Sequence, residues 1–350
     1  MKTLMKRATV FAFLTLAPAL AVSGTSLAET SAHQWAANPP ASFVPPAIHP
    51  EGVRLQTREL APGVYALLSG HGFVDNSGFV VGDRGVLVID AHINADMARQ
   101  IQAAVREVTD KPILYLVNTN YHGDHNFGNY AFPAETKIIA HRLTFERMRH
   151  FEQEKRLMLR TVNNDPKVFG DARLRLPDVT FEERLSLDLG GRVVELYHFG
   201  RGNTPGDTVV YQPDAKVAWT GNLVVGAGTI PPIFEGGAGE YLKTIARFAE
   251  RLEVATIIPG HGAPATGAIL GRYLSYLGEL IETARLAARA GSSLEDTLAK
   301  NPLGQAYLPP EGAVPQEIVA FLNGLHQLNL QQTYREAVDR TSAAGEPVSQ

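Results

Sequence analysis

Apolar and polar positions along the chain alternate between two regimes. Short runs rich in Val, Ile and Leu, bounded by Gly, Asn, Asp and Pro, occupy residues 63–68, 77–81 and 85–90. This is the pattern of strands separated by turns. Gly82, Asp83, Arg84 and Gly85 read as a hairpin turn between the last two. The period then changes. Met97, Ile101, Ala104, Val105 and Val108 share one face of a helix over residues 96–108. Strand patterning returns at 113–117 and 137–141. Residues 143–159 read as a charged amphipathic helix and 163–177 as loop. Residues 180–187, 193–199, 208–211 and 217–220 are four further strands, 241–252 a helix, and 255–258 a last strand. Beyond Ala268, helix-period apolar residues over 269–290 and 316–338 predict a C-terminal helical extension, packed on the main body or offering a surface to a second copy. The whole is an α/β chain.

The N-terminus follows a different rule. Lys2, Lys6 and Arg7 precede an apolar run over residues 8–22, and Ser26, Leu27 and Ala28 form a small-x-small site. This is the layout of a cleavable export segment at 1–28. The run is short and contains Pro18, which argues against a membrane anchor. Residues 29–59 are rich in Pro and Ala, with pairs at Pro39-Pro40 and Pro45-Pro46, and read as an extended arm.

The 350 residues, with 45% hydrophobic and 19% charged side chains, suffice for one large domain with a real core. The formal net charge is −4; removing the three cations of the leader, −4 minus 3, gives −7. Neither value offers an electrostatic case for nucleic acid. No cysteine is present. An exported chain without cysteine has no disulfides, so its stability rests on its core, and thiolate ligands and nucleophiles are excluded. Export without disulfides fits a periplasmic or secreted protein.

Candidate chemistry concentrates after the strand at 113–117. Residues 118–125 read Asn-Thr-Asn-Tyr-His-Gly-Asp-His, followed by turn residues. His122, Asp124 and His125 therefore sit in a loop at the C-terminal edge of a strand, where open α/β sheets place their sites. Two imidazoles and a carboxylate within four residues can address one small volume, as a divalent metal requires. Three more strands end in polar loops: residues 197–207, Thr220 to Asn222, and Pro259 to Gly262. Asp90 and His92 end the strand at 85–90. Strand ends converging on one rim build a site from remote residues.

The ordered set of 85–90, His122-Gly-Asp-His125, Gly202 to Asp207, Thr220-Gly-Asn222 and Pro259-Gly-His261-Gly resembles the metallo-β-lactamase-fold hydrolases over residues 60–264. The run is most similar to the exported, β-lactamase-like and quinoprotein-associated branch. The resemblance implies an αββα sandwich of two mixed β-sheets flanked by helices, spanning 60–265, with the helical extension at 266–350. It also implies a metal centre on one edge of the two sheets.

The ligand positions depart from the family pattern in an ordered way. Its first metal site uses three histidines, which here fall on Asn120, His122 and Asn203. A position that often carries a bridging acid is Asn222. The second site is intact as Asp124, His125 and His261. An amide is a weak zinc ligand, whereas one carboxylate and two imidazoles leave an open position for water. The resemblance therefore implies one zinc ion and no second, with Asp124 and His122 as catalytic groups. His122 is a candidate general base because neutral imidazole titrates in the right range. Asn222 stands beside the water.

His92, His198 and His71 are candidate substrate contacts, the last in a glycine-flanked flap with Phe73. Arg201 is a candidate partner for an anionic substrate. His33, His49 and His326 have no assigned role. The expected function is an exported metallo-hydrolase opening an ester, lactone or amide-type bond of a small molecule, with no nucleic-acid or membrane partner after cleavage and a possible homo-oligomer through the C-terminal helices. The alternative is a metal-poor binding or accessory protein that keeps the fold. Mass spectrometry of the protein recovered from an expressing bacterium's periplasm is expected to give a chain beginning at Glu29; an intact Met1 chain would remove the export reading.

Overall fold

The computed structural model describes residues 39–343, with side chains to Arg340. The leader at 1–28, residues 29–38 of the arm and His33 lie outside the described residues. Strands β1 (Gln56–Ala61), β2 (Val64–Leu68), β3 (Ser77–Val81) and β4 (Val86–Ile89) form an antiparallel meander. Helix α1 (Ala95–Val108) follows, and its crossover makes β5 (Ile113–Asn118) parallel to β4. The Asn94 side chain accepts a hydrogen bond from the Met97 amide and caps α1, whose Met97, Ala98, Ile101, Ala104 and Val105 are buried.

A short helix, α2 (Gly123–Asn126), leads to β6 (Lys137–His141), then α3 (Arg142–Met148), α4 (Phe151–Met158) and β7 (Val179–Phe181). Strands β1 to β7 make a seven-stranded sheet in sequence order. The second sheet holds β8 (Arg184–Asp188), β9 (Val193–Tyr197), β10 (Val209–Gln212), β11 (Val217–Gly221) and, after α5 (Ala238–Arg251), β12 (Thr256–Pro259). β8 to β11 are antiparallel and β11 to β12 parallel. Helices α6 (Ile269–Arg289), α7 (Leu294–Lys300) and α8 (Gln316–Ala343) complete the chain.

The expected αββα sandwich is present. Between the sheets lie Val80, Leu87, Ile89 and Val117 from one face and Leu196, Val210, Trp219 and Ile258 from the other. Gly78 is needed here: a Cβ on it would come 2.2 Å from Trp219 Nε1, so the indole lies directly over bare backbone. Phe79, Val88, Leu116 and Ile138 face the opposite way and pack with α1. The outer face of the second sheet is covered by α5, α6 and α8 through Tyr241, Phe248, Tyr273, Leu277 and Leu328. The C-terminal helices thus pack on the main body.

Four sequence expectations are corrected. Residues 180–187 are not one strand. Phe181 pairs with His141 in the first sheet and Arg184 pairs with Tyr197 in the second, so the chain crosses between sheets at Glu182 and Glu183. No Gly or Pro marks that corner, and the alternation of side chains runs through it. The helix expected over 143–159 breaks at His150 (φ −93°, ψ 37°), whose carbonyl accepts from the amides of Gln153 and Glu154 and starts a new helix. Within 163–177, Pro166–Phe169 forms a 3-10 turn. The described part of the arm reaches the core: Ile48 is buried with Val74, Met97 and Phe169, its amide donates to Thr161 O at 2.6 Å, and β1 starts at Gln56.

One histidine pair is structural. His141 and His198 stack with centroids 3.9 Å apart, and His198 Nδ1 lies 2.9 Å from the Asp207 carbonyl. His141 Nδ1 accepts from the Leu143 amide and caps α3. Burial, reinforced by His198, lowers the His141 pKa to about 4.

Two outcomes follow. Ile48→Ala is expected to cost about 2 kcal/mol or more in urea unfolding; a change within the scatter of surface substitutions would mean the arm is merely laid on the surface. Below pH 6.5 the unfolded chain takes up a proton that folded His141 refuses, so its share of stability is lost as pH falls from about 6.5 to about 4. His141→Asn keeps a capping acceptor but cannot titrate, so urea midpoints measured at pH 7 and pH 5 should differ less than in the parent protein.

Candidate metal centre

The loop after β5 is held by amides. Asn118 and Asn129 exchange hydrogen bonds at 3.0 and 2.8 Å, and Asn126 Nδ2 donates to the carbonyls of Tyr121 and His122, both at 2.7 Å. Behind the loop stands Asp90. It accepts from the Thr119 amide at 2.8 Å, the Thr119 hydroxyl at 2.7 Å and His125 Nδ1 at 2.9 Å. Asp90 and His92 both have left-handed backbone, φ 58° and 63°, a conformation costly for residues with a Cβ. The neighbouring contacts hold it: the Ala91 amide donates to His125 O and Gly128 to His92 O, each at 2.8 Å.

The C-terminal end of β12 reaches the same rim. Asn76, at the start of β3, donates from its amide to Gly260 O at 2.6 Å and from Nδ2 to the carbonyls of Pro259 and Gly262 at 3.1 and 2.8 Å. This clamp sets Asp75 beside His261. Gly260 has no room for a side chain, since a Cβ would meet His125 Cε1 at 2.8 Å and Asn222 Oδ1 at 2.9 Å.

The geometry brings Asp124, His125 and His261 together and adds Asp75, which sequence reasoning missed. One ligand-type atom from each lies within 4.8 Å of the others. His261 Nε2 is 3.1 Å from Asp75 Oδ1 and 3.2 Å from Asp124 Oδ2, and His125 Nε2 is 3.7 Å from Asp75 Oδ1. Among the described residues, neither Asp75 oxygen, nor Asp124 Oδ1, nor His125 Nε2 makes a hydrogen bond. Buried polar atoms of this kind ordinarily have partners. Two imidazoles and two carboxylates, with His125 oriented by the Asp90 carboxylate behind it, fit a divalent cation.

The electrostatics without a cation are those of a crowded site. Burial pushes the Asp75 carboxyl up to about 8, against the pull of His125 and His261. Burial also raises Asp124, but His125 and His261 outweigh it and hold that carboxyl below the usual range. For His125 and His261 burial disfavours charge, yet Asp75, Asp124 and, for His125, Asp90 keep both imidazoles above their ordinary value. Burial lowers His92 to about 3, so it stays neutral.

The remaining expected residues divide. His122 stands outside the four-residue group, and its Nδ1 is 3.3 Å from Oε1 of buried Glu154, a partner not foreseen from sequence. The break between α3 and α4 is what aims Glu154 there. Asn120 Oδ1 accepts from the His122 amide at 2.9 Å, and Asn203 Nδ2 donates to Pro232 O at 3.0 Å. His122, Asp124, Asn222 and His261 all line one cavity of about 130 Å³, whose walls also include Phe43, Phe73, Phe234 and Phe321. His71 is exposed and does not line it, because the loop turns Phe73 inward instead. His198 is drawn away by its stack on His141, and Arg201 lines a separate surface cavity. His92 is buried beside the four-residue cluster without reaching the cavity wall.

Comparison with known proteins agrees with this architecture. The sequence profile of the metallo-β-lactamase superfamily matches residues 72–261. The chain is similar to the linear primary-alkylsulfatase of Pseudomonas sp. (strain ATCC 19151), 23% identical over 217 residues, covering 52% of this chain and 40% of that protein. It is also similar to the 2,4-dinitroanisole O-demethylase subunit alpha of Nocardioides sp. (strain JS1661), 25% identical over 181 residues, covering 51% and 47%. It thus spans less than half the length of these curated relatives. Among solved structures, a metallo-β-lactamase from Pontibacter korlensis superposes with a TM-score of 0.54 at 21% identity, over 64% of this chain and 99% of that one. With the profile covering strands β3 to β12, the rim loops and all four clustered side chains, the chain belongs to the metallo-β-lactamase superfamily.

Proposed function

We propose that the protein is an exported hydrolase working with a single zinc ion held by Asp124, His125 and His261, with Asp75 as a fourth carboxylate donor, and that it opens an ester, lactone or amide-type bond. The observation that carries this reading is the four-residue cluster, with unsatisfied oxygens and nitrogens gathered within 4.8 Å and with Asp124 and His261 lining the adjoining cavity. A second ion is not part of the proposal, because the first-site positions carry two neutral amides, weak ligands for zinc, and Asn120 Oδ1 already accepts from the His122 amide.

A divalent cation bound there supplies Lewis acidity and makes water nucleophilic near neutral pH. The chain's own groups do the rest. Asp90 fixes the His125 ring so that Nε2 faces the cluster. Asp124 lines the cavity, and its Oδ1, which makes no hydrogen bond among the described residues, is available to orient water. His122 lines the cavity with Glu154 behind its Nδ1, the arrangement of a general base whose proton is stabilised by a carboxylate. Asn222 supplies a neutral group at the same wall.

A second reading has an observation of its own. His261 meets both Asp75 and Asp124, a set of ion pairs that satisfies much of the cluster without a cation and suits a binding protein that has lost turnover. Elemental analysis separates the two. Protein purified without chelator is expected to hold about one zinc per chain, and Asp124→Ala to lose both the metal and ester hydrolysis. Asp90→Asn should weaken zinc about 10–100-fold in competition with a chelating dye. Metal-free protein whose melting temperature ignores added zinc would establish the second reading.

A further inference from the structure

We propose that the cavity selects an uncharged substrate with a flat aryl or similarly apolar group, and rejects anionic compounds of the alkyl sulfate type. The inference rests on the metal reading above for its charge count. Two ligating carboxylates, Asp75 and Asp124, cancel a divalent ion, and His125 and His261 add no charge as neutral ligands. The loaded ligand sphere is therefore net neutral, and the Asp90 carboxylate 2.9 Å behind His125 adds no positive charge. Another ionisable pair nearby, His122 with Glu154 at 3.3 Å, is buried, and its imidazole already faces a carboxylate.

Among the described residues, no lysine or arginine lines the cavity. Arg147, whose guanidinium lies over the Tyr121 ring at 5.8 Å, is committed to Glu235 at 2.9 Å. Arg201 opens onto a different surface. An anion entering this cavity would lose its hydration and meet no unpaired cation, which is costly.

The walls supply the positive half of the selection. Phe43 comes from the arm, Phe73 from the loop after β2, Phe234 from the loop after β11 and Phe321 from α8. Phe43 lies 6.0 Å from Phe234 and 6.2 Å from Phe321 in tilted contacts, and Phe73 meets Phe321 edge-on at 5.6 Å. Ile48 and Met158 add aliphatic surface. Rings set at mixed angles around a slot favour a planar apolar guest through stacked and edge contacts.

The test compares 1-naphthaleneacetamide with 1-naphthaleneacetate, two compounds of the same shape differing in charge, by calorimetry on zinc-loaded protein at pH 7.5. The amide is expected to bind about tenfold or more tighter, and Phe73→Ala to weaken the amide while leaving zinc content unchanged. Equal or tighter binding of the acetate would overturn the proposal, as would failure of both to bind. Zinc content and ester hydrolysis are read on the same samples. Selective binding by protein that holds zinc but does not turn over would end the hydrolase reading alone; turnover without charge selection would end this one alone.

Discussion

A single buried carboxylate orders the rim on which everything else depends. Asp90 ends β4 in left-handed backbone and accepts three hydrogen bonds, two from Thr119 and one from His125. Those bonds fix the loop after β5 to the neighbouring strand end and set the orientation of the imidazole that points into the cluster. Charge-assisted bonds inside a dry site are strong, and their loss leaves a buried charge exposed to nothing. The strained φ of Asp90 and His92 is tolerated because the surrounding contacts determine it.

The cluster then concentrates like and unlike charges in a volume that water does not screen. Two carboxylates and two imidazoles within 4.8 Å are stable without a cation only by sharing protons, which is why burial and neighbours drive Asp75 and Asp124 in opposite directions. A bound divalent ion would replace those protons with a fixed charge. The amides at Asn120 and Asn203 do the reverse. They are neutral, hydrogen-bonded to the local backbone, and add nothing to the charge balance.

Above the cluster the cavity is assembled from segments far apart in the chain. The arm, the loop after β2 and helix α8 each contribute one aromatic ring, and none of these belongs to the paired strands of the sandwich. The sandwich and rim thus carry the charged chemistry, while peripheral segments set the shape above it, a division common to folds that host many activities.

The strands and the rim loops were legible in the residues because buried strands demand continuous apolar runs and loops at strand ends demand Gly, Asn and Asp. The spacing of His122, Asp124 and His125 and the later His261 named most of the cluster for the same reason: local chain geometry already limits where those groups can point. Asp75 gave no such signal. It is an ordinary acid in a turn until the Asn76 clamp ties it to the Pro259–Gly262 loop, a contact across more than 180 positions. The crossover at Glu182 and Glu183, the break at His150 that sends Glu154 to His122, and the burial of Ile48 were equally hidden. Each is settled by which partner surface lies within reach once the sheets have stacked. Periodicity records how a segment divides its own faces, not which distant segment will cover them; that choice belongs to packing.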